Sequence, residues 1–241
     1  MQRSLALVFF ISVVPQAFGQ WGHCAEELAA FSKPALRGSK WNASGWAGDR
    51  FPQADFPTVR TARLLGYGNY GRYYKARTSL GKAIWVKDFK TNTSDVLRKT
   101  DALIDLPTPE QMDRSARSVA KAEKDVLALL RESGRLPYGM RAIRTRGLVT
   151  PTVLRYAEPL RGRTVSSLLN DAALDLEFRQ LLWEQFQGTL KRLAIQLEAE
   201  EIEGFGMKFF TERHSFAITI CGTLWDPATD EFVIVDPFFF D

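Results

Sequence analysis

The sequence predicts an α+β fold, with an antiparallel β-sheet and one main helix in the N-terminal half and a mostly helical C-terminal half. Three stretches support this fold class. Residues 65–87 alternate apolar strands with glycine turns, residues 108–133 have helical periodicity, and a second long helical pattern covers residues 174–202. With 241 residues, 45% of them hydrophobic and 25% charged, the chain can build a packed core.

The first residues have the order of a secretory signal peptide. Arg3 supplies a short positive region, residues 5–14 form an apolar core, and Ala17 and Gly19 are the small residues that a signal peptidase requires. We expect cleavage before Gln20, with an uncleaved N-terminal anchor as the alternative. Cleavage predicts a protein that is secreted or lies in the lumen of a secretory compartment, without a stable membrane span.

Two cysteines and two glycosylation triplets bear on the same compartment. Cys24 and Cys221 would form one disulfide in an oxidising environment, and the alternative is two buried thiols. The triplets that begin at Asn42 and Asn92 fit the N-glycosylation pattern, which is used only in a eukaryotic secretory pathway.

The charge of the chain does not favour nucleic acid as a partner. The formal net charge is only +4, and the lysines and arginines are scattered along the sequence. No basic stripe is interleaved with aromatic residues, which is the pattern that nucleic-acid binding predicts.

We divide the chain into four segments: a signal peptide (1–19), an irregular N-terminal arm (20–59), a sheet-bearing segment (60–155) and a C-terminal segment (156–241). The arm scatters tryptophans and phenylalanines among Gly, Ser, Pro and Asp without a sustained period. We therefore expect an extended arm whose aromatic side chains attach it to the domain surface.

A glycine turn is the first feature with a chemical interpretation. Gly66, Gly68 and Gly71 have the spacing G-x-G-x-x-G, and β-favouring tyrosines follow them instead of the helix that a dinucleotide-binding motif opens. Glycines let backbone N–H groups approach phosphate oxygens, and Lys87, which ends the next apolar strand, would add a fixed positive charge. The alternative is a glycine-rich hairpin without a ligand.

The main helix has a clear beginning and end. Thr108 can cap it, the following proline suits the first helical position, and Gln111 completes a capping box. We expect the helix to run to about Ser133, with Gly134 as its stop. A shorter helix is expected within residues 93–105.

One acidic residue lies on the apolar face of this helix. The apolar positions follow spacings of three, four and seven and are Met112, Ala116, Val119, Val126 and Leu130. Glu123 lies on the same stripe, where a carboxylate is costly unless it meets a positive partner. Lys87 is the natural candidate; alternatively, Glu123 lies at the edge of the stripe and reaches solvent.

The remaining elements come in a simple order. Residues 151–156 predict a strand, followed by an extended linker that becomes a helix near Thr164. The long helix at 174–202 ends at Gly204. A β-hairpin then turns at residues 226–230 and leads directly to Asp236.

From about residue 60 to residue 241 these features resemble a protein kinase. Kinases combine a glycine loop, a lysine on the third strand, a glutamate on the following helix and a metal-binding Asp after a hairpin. The resemblance implies a kinase-like fold that binds ATP and Mg²⁺ and meets a protein partner. It implies nucleotide contacts from Gly66, Gly68, Gly71, Lys87, Tyr156, Ala157 and Glu158, a Lys87–Glu123 ion pair and a metal ligand at Asp236. The signal peptide and the long insert before the main helix also faintly resemble the secreted rhoptry kinases and pseudokinases of apicomplexan parasites.

The catalytic loop departs from the kinase pattern. Kinases place a catalytic Asp five residues before a metal-binding Asn, and counting back from the hairpin puts Ala217 and Gly222 at those positions. A shift by one residue gives Phe216 and Cys221, so neither register supplies a carboxylate. His214 is nearby and could act as a base, although a histidine in a surface loop is the plainer interpretation.

Three functions remain open. The first is a secreted pseudokinase that binds nucleotide and acts through protein contacts. The second is an active but atypical phosphotransferase or protein kinase with a relocated base, for which the candidates are His214, Asp226 and Asp230. The third is a secreted, β-rich binding module in which the aromatic arm carries the function.

Overall fold

A computed structural model describes residues 58–67, 70–89, 109–195, 199–202 and 206–240. Several expectations lie outside these residues. They concern the signal peptide, nearly all of the N-terminal arm, the short helix within 93–105, Gly68, Cys24, Asn42 and Asn92.

The described residues form thirteen strands and three helices. The strands are β1 (Val59–Tyr67), β2 (Arg72–Thr78), β3 (Ala83–Asp88), β4 (Met140–Ala142), β5 (Thr145–Thr150), β6 (Val153–Tyr156), β7 (Arg163–Thr164), β8 (Ala199–Ile202), β9 (Gly206–Phe210), β10 (Ser215–Thr219), β11 (Thr223–Asp226), β12 (Glu231–Ile234) and β13 (Phe238–Phe240). The helices are α1 (Pro109–Glu132), α2 (Val165–Leu169) and α3 (Leu176–Ala194).

The strands build three sheets. The first sheet is antiparallel, with the order β1-β2-β3-β6-β5. The second has the order β4-β12-β11-β7, in which β4 and β12 run parallel. The third is antiparallel, with the order β13-β10-β9-β8. The predicted hairpin is present as β11 and β12, whose residues pair from Thr223↔Ile234 to Asp226↔Glu231.

The main helix forms where its caps and stripe predict. α1 ends at Glu132, and Gly134 has a φ of +62°, the left-handed conformation that favours glycine after a helix. Its buried side chains include Ala116, Val126 and Leu130 from the predicted stripe. The helix therefore lies with its apolar face on the core, and Glu123 is on that face.

The expectation of a kinase-like fold with a mostly helical C-terminal half is wrong. In the described residues beyond 156, the two helices are the five-residue α2 and the nineteen-residue α3, and two sheets account for most of the rest. The predicted helix at 174–202 is also too long. α3 ends at Ala194, and residues 199–202 form β8, which pairs with β9. Cross-strand pairing thus overrides the helix propensity of this short Ala-Glu-Glu-Ile segment.

One apolar core connects the sheets and the helices. Its buried members come from the first sheet, from α1 and α3, and from the two C-terminal sheets; examples are Tyr73, Leu127, Phe186, Phe216 and Phe232. A smaller cluster lies on the opposite face of the first sheet and includes Tyr74 and Val86. None of the helices in the described part of the chain has the length and hydropathy that a membrane crossing requires.

Candidate functional site

Three ionisable side chains from distant parts of the sequence meet at one buried point. The Lys87 Nζ lies 2.5 Å from Glu123 Oε2 and 2.6 Å from Asp236 Oδ1. Lys87 comes from β3, Glu123 from the apolar face of α1, and Asp236 follows β12. The contact between Lys87 and Glu123 that the helical stripe predicts is therefore present, and Asp236 shares the same ammonium group. We call these three residues the charge cluster.

Aromatic side chains enclose the charge cluster. The Lys87 Nζ is 4.9 Å from the ring centroid of Tyr73 and 4.8 Å from that of Phe89, distances at which a ring attracts a cation. The Tyr156 hydroxyl donates a hydrogen bond to Glu123 Oε1 at 3.1 Å. All members of the cluster are almost completely buried. Water therefore does little to screen these charges.

Burial and mutual attraction act in opposite directions on the two charged partners. Burial lowers the pKa of Lys87, but the attraction of Asp236 and Glu123 outweighs it and raises the pKa above its ordinary value. Burial raises the pKa of Glu123 to about 8, against the opposing attraction of Lys87. One ammonium group lies between two acids, so one negative charge is enough to neutralise it. Glu123 is then the acid that keeps its proton at neutral pH.

The two buried tyrosines stay protonated. Burial is the largest cause that raises the pKa values of Tyr73 and Tyr156 well above their ordinary range, and the nearby acids add to it. The Tyr73 hydroxyl donates to the Val235 carbonyl at 3.3 Å, so it attaches β2 to the segment that carries Asp236. Both hydroxyls thus act as hydrogen-bond donors that position the cluster.

Gly222 supports the backbone of Asp236. The Gly222 carbonyl accepts hydrogen bonds from the amides of Val235 and Asp236, at 2.9 and 3.0 Å. A Cβ atom at Gly222 would lie well inside van der Waals distance of the Asp236 carbonyl oxygen. This is the position at which the kinase resemblance places the metal-binding Asn, and the geometry has no space for any side chain there.

The rest of the expected catalytic loop is a buried strand. Phe216 and Ala217 lie in β10, where they pair with β9 on one side and β13 on the other, and both are fully buried. Cys221, the alternative position for the Asn, is buried and disulfide-bonded. Neither register therefore provides a carboxylate, and an exposed catalytic loop does not form at these residues.

The candidate bases are held by local structure. The His214 ring packs against Phe239 with 6.4 Å between ring centroids. The Asp226 carboxylate accepts a hydrogen bond from the Ala228 amide in the hairpin turn. Asp230 lies in the same turn with a φ of +53°. This turn is at the opposite end of the hairpin from Asp236.

The glycine turn is tied down at both ends of its described part. Gly66 pairs with Tyr73 across β1 and β2. A Cβ atom at Gly71 would lie 2.5 Å from the Asp88 carbonyl oxygen, so this glycine is explained by the close approach of β2 and β3. The Tyr70 hydroxyl donates to the Phe239 carbonyl at 2.9 Å and accepts from the Phe239 amide at 3.0 Å. The turn is thereby joined to β13.

The predicted hinge residues are engaged by their own chain. The Tyr156 backbone lies between Trp85 on β3 and Thr145 on β5. The Ala157 amide donates to the Arg144 carbonyl at 2.8 Å. The Glu158 carboxylate forms ion pairs with Arg141 at 2.9 Å and with Arg144 at 3.7 Å. An adenine-binding role for residues 156–158 stays a prediction.

Of the described residues, Asp236 is the one that the kinase resemblance assigns to Mg²⁺. Within the ranges that the structure describes, no group of three His, Cys, Asp or Glu residues could hold a metal ion. Protein-bound Mg²⁺ is often held by one or two carboxylates together with substrate phosphates and water. A site with one carboxylate therefore suits Mg²⁺ only when it arrives with a nucleotide.

Sequence reasoning missed the contacts that close the site. The Tyr70–Phe239 hydrogen bonds join residues 169 positions apart, and Tyr73 reaches Val235 across 162 positions. The position of Tyr70 inside the glycine turn was the available signal, because a tyrosine hydroxyl there can reach the facing segment.

Comparison with known proteins adds no assignment: no family model matches the chain, and no curated protein shows significant similarity to it.

Proposed function

We propose that this protein is a secreted, degenerate phosphotransferase that binds a nucleoside triphosphate at the charge cluster and acts through contacts with a protein partner. The observation that carries the proposal is the position of the Lys87 ammonium group, which lies 2.6 Å from Asp236 and 2.5 Å from Glu123. A strand lysine with a helix glutamate and an Asp after a hairpin is the set that binds nucleotide phosphates in kinases.

Stability alone gives a weak reason for such a cluster. A buried ion pair can often be replaced by apolar residues of similar volume without loss of stability, because removing charges from water is costly. The ammonium group here has two acids as neighbours, although one would neutralise it. A phosphate group could take the place of Asp236 beside Lys87, and Asp236 would then be available to hold Mg²⁺, which neutralises phosphate charge.

The proposal that phosphate is not transferred follows from the absence of two groups that a kinase needs. A kinase needs a carboxylate that orients the hydroxyl group of its substrate, and the positions that correspond to it are Ala217 or Phe216 in a buried strand. The second metal ligand would be at Gly222, where a side chain does not fit. Loss of a general base alone costs about 10²–10⁴-fold in rate. We therefore expect binding without measurable phosphoryl transfer.

Isothermal titration calorimetry with ATP, with and without Mg²⁺, tests the proposal. The informative variant combines Lys87→Met with Asp236→Asn. Burial raises the pKa of Glu123, and the loss of Lys87 removes the main opposing attraction, so we expect Glu123 to stay neutral in this variant. The matched control is Arg117→Met with Asp113→Asn, which removes an exposed ion pair of α1.

We expect binding to the wild type and to the control, and no binding to the cluster variant. Equal binding to all three proteins would place the nucleotide elsewhere. Transfer of labelled phosphate from ATP to a protein or peptide, lost in the cluster variant, would contradict the degenerate assignment.

A β-rich binding module without a nucleotide is the second candidate, and the burial of the site favours it. Lys87 has no exposed surface, and the Ala157 amide already donates a hydrogen bond within the chain. The close approach of β2 and β3 explains Gly71 without a ligand. This alternative predicts no heat of binding with ATP at millimolar concentration, whether or not Mg²⁺ is present.

A further inference from the structure

A β-bulge brings two arginines of adjacent strands close together in the first sheet. Thr145 pairs with Tyr156 and Gly147 pairs with Arg155, so β5 advances two residues while β6 advances one. Arg146 is the extra residue of this bulge, and Gly147 has a φ of +98°. In a bulge, two residues of one strand oppose a single residue of the other. Arg146 and Gly147 therefore both lie opposite the single residue Arg155.

Both arginines line one open depression. It has a volume of about 570 Å³, and Thr145 contributes to the same wall. None of the described residues that line it is acidic. Other arginines of the region are paired with acids: Arg141 with Glu158 and Glu231, and Arg144 with Glu158.

Arg146 and Arg155 have no such acidic partner among the described residues. The Arg155 Nε is in addition buried, and it meets no acceptor within the part of the chain that the structure describes. Two cations on adjacent strands repel each other, and a buried N–H group without an acceptor is unfavourable. An anion in the depression would offset the repulsion between the two guanidinium groups.

The charge and shape of the groups select the kind of anion. A guanidinium group binds phosphate through two parallel hydrogen bonds. A phosphate monoester carries a charge of about −1.5 to −2 at pH 7, which matches two arginines better than a single carboxylate does.

We propose that the depression at Arg146 and Arg155 is a binding site for a phosphate monoester. The site is separate from the charge cluster. Arg155 is on the same side of the sheet as Val86, its partner on β3, whereas Lys87 and Tyr156 point to the opposite side, towards Glu123. The proposal therefore does not depend on nucleotide binding at Lys87.

Calorimetric or NMR titration of the full chain with inorganic phosphate, O-phosphoserine and a phosphoserine peptide tests the proposal. Acetate and the unphosphorylated peptide are the controls. The variants are Arg146→Gln and Arg155→Gln, and the matched control is Arg144→Gln, an exposed arginine that precedes β5 and pairs with Glu158. Melting temperatures confirm that each variant is folded.

We expect all three phosphate probes to bind, acetate to bind more weakly, and each site variant to lose about tenfold or more in affinity, as the loss of a charge-assisted hydrogen bond predicts. Tighter binding of the peptide than of phosphoserine would identify a phosphorylated protein as the source, and equal binding would indicate a small ester. Retention of phosphate binding by the Lys87→Met, Asp236→Asn variant separates this site from the nucleotide site. The proposal is overturned if the wild type binds no phosphate, or if Arg146→Gln and Arg155→Gln bind as well as Arg144→Gln.

Discussion

Lys87 lies at the centre of the charge cluster, and the two acids beside it differ in their surroundings. Glu123 lies on a helix and accepts hydrogen bonds from Lys87 and from Tyr156. Asp236 follows a strand whose end is fixed by Gly222. Because burial raises the pKa of Glu123 to about 8, the protonation of a single residue determines the net charge of the cluster near neutral pH.

The first prediction follows from the raised pKa of Glu123. The native state holds a proton that the unfolded chain releases near pH 4.5, so the free energy of unfolding should fall as the pH rises from about 4.5 to about 8. The loss is complete above the folded pKa. Urea denaturation at several pH values should show this fall in the wild type and a flatter profile in Glu123→Gln.

Glu184→Gln, which changes an exposed acid of α3, is the control and should keep the wild-type profile. An unchanged slope in Glu123→Gln would show that Glu123 is ionised in the native protein across this range.

The second prediction concerns the lysine itself. Lys87→Met leaves two buried acids without their cation, and breaking a buried pair in this way costs about 3–5 kcal/mol. The double variant with Asp236→Asn should recover part of this loss, since only the protonated Glu123 remains. Urea denaturation at pH 7 measures both values. Equal stability of the single and double variants would mean that Asp236 contributes little to the cluster.

The third prediction tests the contact between the glycine turn and β13. Tyr70→Phe removes a hydroxyl group that both donates to and accepts from Phe239, at a cost of about 1 kcal/mol for each hydrogen bond. The ring contacts with Phe238 and Phe239 can remain. We expect faster hydrogen exchange at the Phe239 amide and tighter ATP binding, because the turn opens at a lower cost.

Tyr138→Phe is the control for this variant, since Tyr138 is almost fully exposed. Faster exchange without a gain in affinity would show that the turn does not limit access to the proposed nucleotide site.

At the scale of the elements, the hairpin β11–β12 positions Asp236 in the charge cluster. Gly222, which precedes β11, contacts the backbone just after the end of β12. The fourth prediction is that Gly222→Ala lowers the free energy of unfolding by several kcal/mol, about the upper end of single-residue effects, because its Cβ would overlap the Asp236 carbonyl. Gly222→Asn should be at least as unstable and should bind no additional Mg²⁺.

The matched control is Gly188→Ala in the middle of α3, where the nearest atom belongs to a flexible arginine side chain. It should stabilise the protein by about 1 kcal/mol, the propensity difference between alanine and glycine. A stable, metal-binding Gly222→Asn variant would show that the hairpin can move away from this position.

The elements that the sequence predicted correctly have local signals. α1 has capping residues at its ends and an apolar stripe along one face. Thr164 accepts a hydrogen bond from the Ser167 amide at the start of α2, the helix that the sequence predicts near Thr164. The Lys87–Glu123 pair was predictable because an acid on an apolar stripe needs a counter-charge. The second contact of Lys87, with Asp236, joins residues 149 positions apart and leaves no pattern within a sequence window.

The elements that the sequence misassigned depend on distant partners. Residues 199–202 are helix formers by composition, yet they form β8 because β9 offers a pairing edge. Likewise, β10 lies between β9 and β13, so residues 216 and 217 are buried strand positions where the kinase resemblance implies an exposed loop. A preference that is read residue by residue cannot include a partner that is supplied by the tertiary fold.

At the scale of the whole molecule, the two halves on either side of residue 156 share structure. The parallel pairing of β4 with β12 joins Met140–Ala142 to the C-terminal hairpin, and the charge cluster joins β3 and α1 to Asp236. The main core also contains residues from both halves. The division of the chain between residues 155 and 156 stays a prediction. Whether the two halves unfold together or separately decides whether they are separate units of stability.

The fifth prediction is that the described domain unfolds in a single transition, since a shared core makes the halves cooperative. Phe186→Ala, in the fully buried part of α3 against Phe232, should lower the free energy of unfolding by about 3–5 kcal/mol. Hydrogen exchange should report the same loss of protection in β3 as in β12.

Leu181→Ala, at a half-exposed position of the same helix, should cost about 1 kcal/mol or less. If Phe186→Ala weakened protection only beyond residue 156, the two halves would unfold independently, and ligand binding at Lys87 would then couple two units that are otherwise separate.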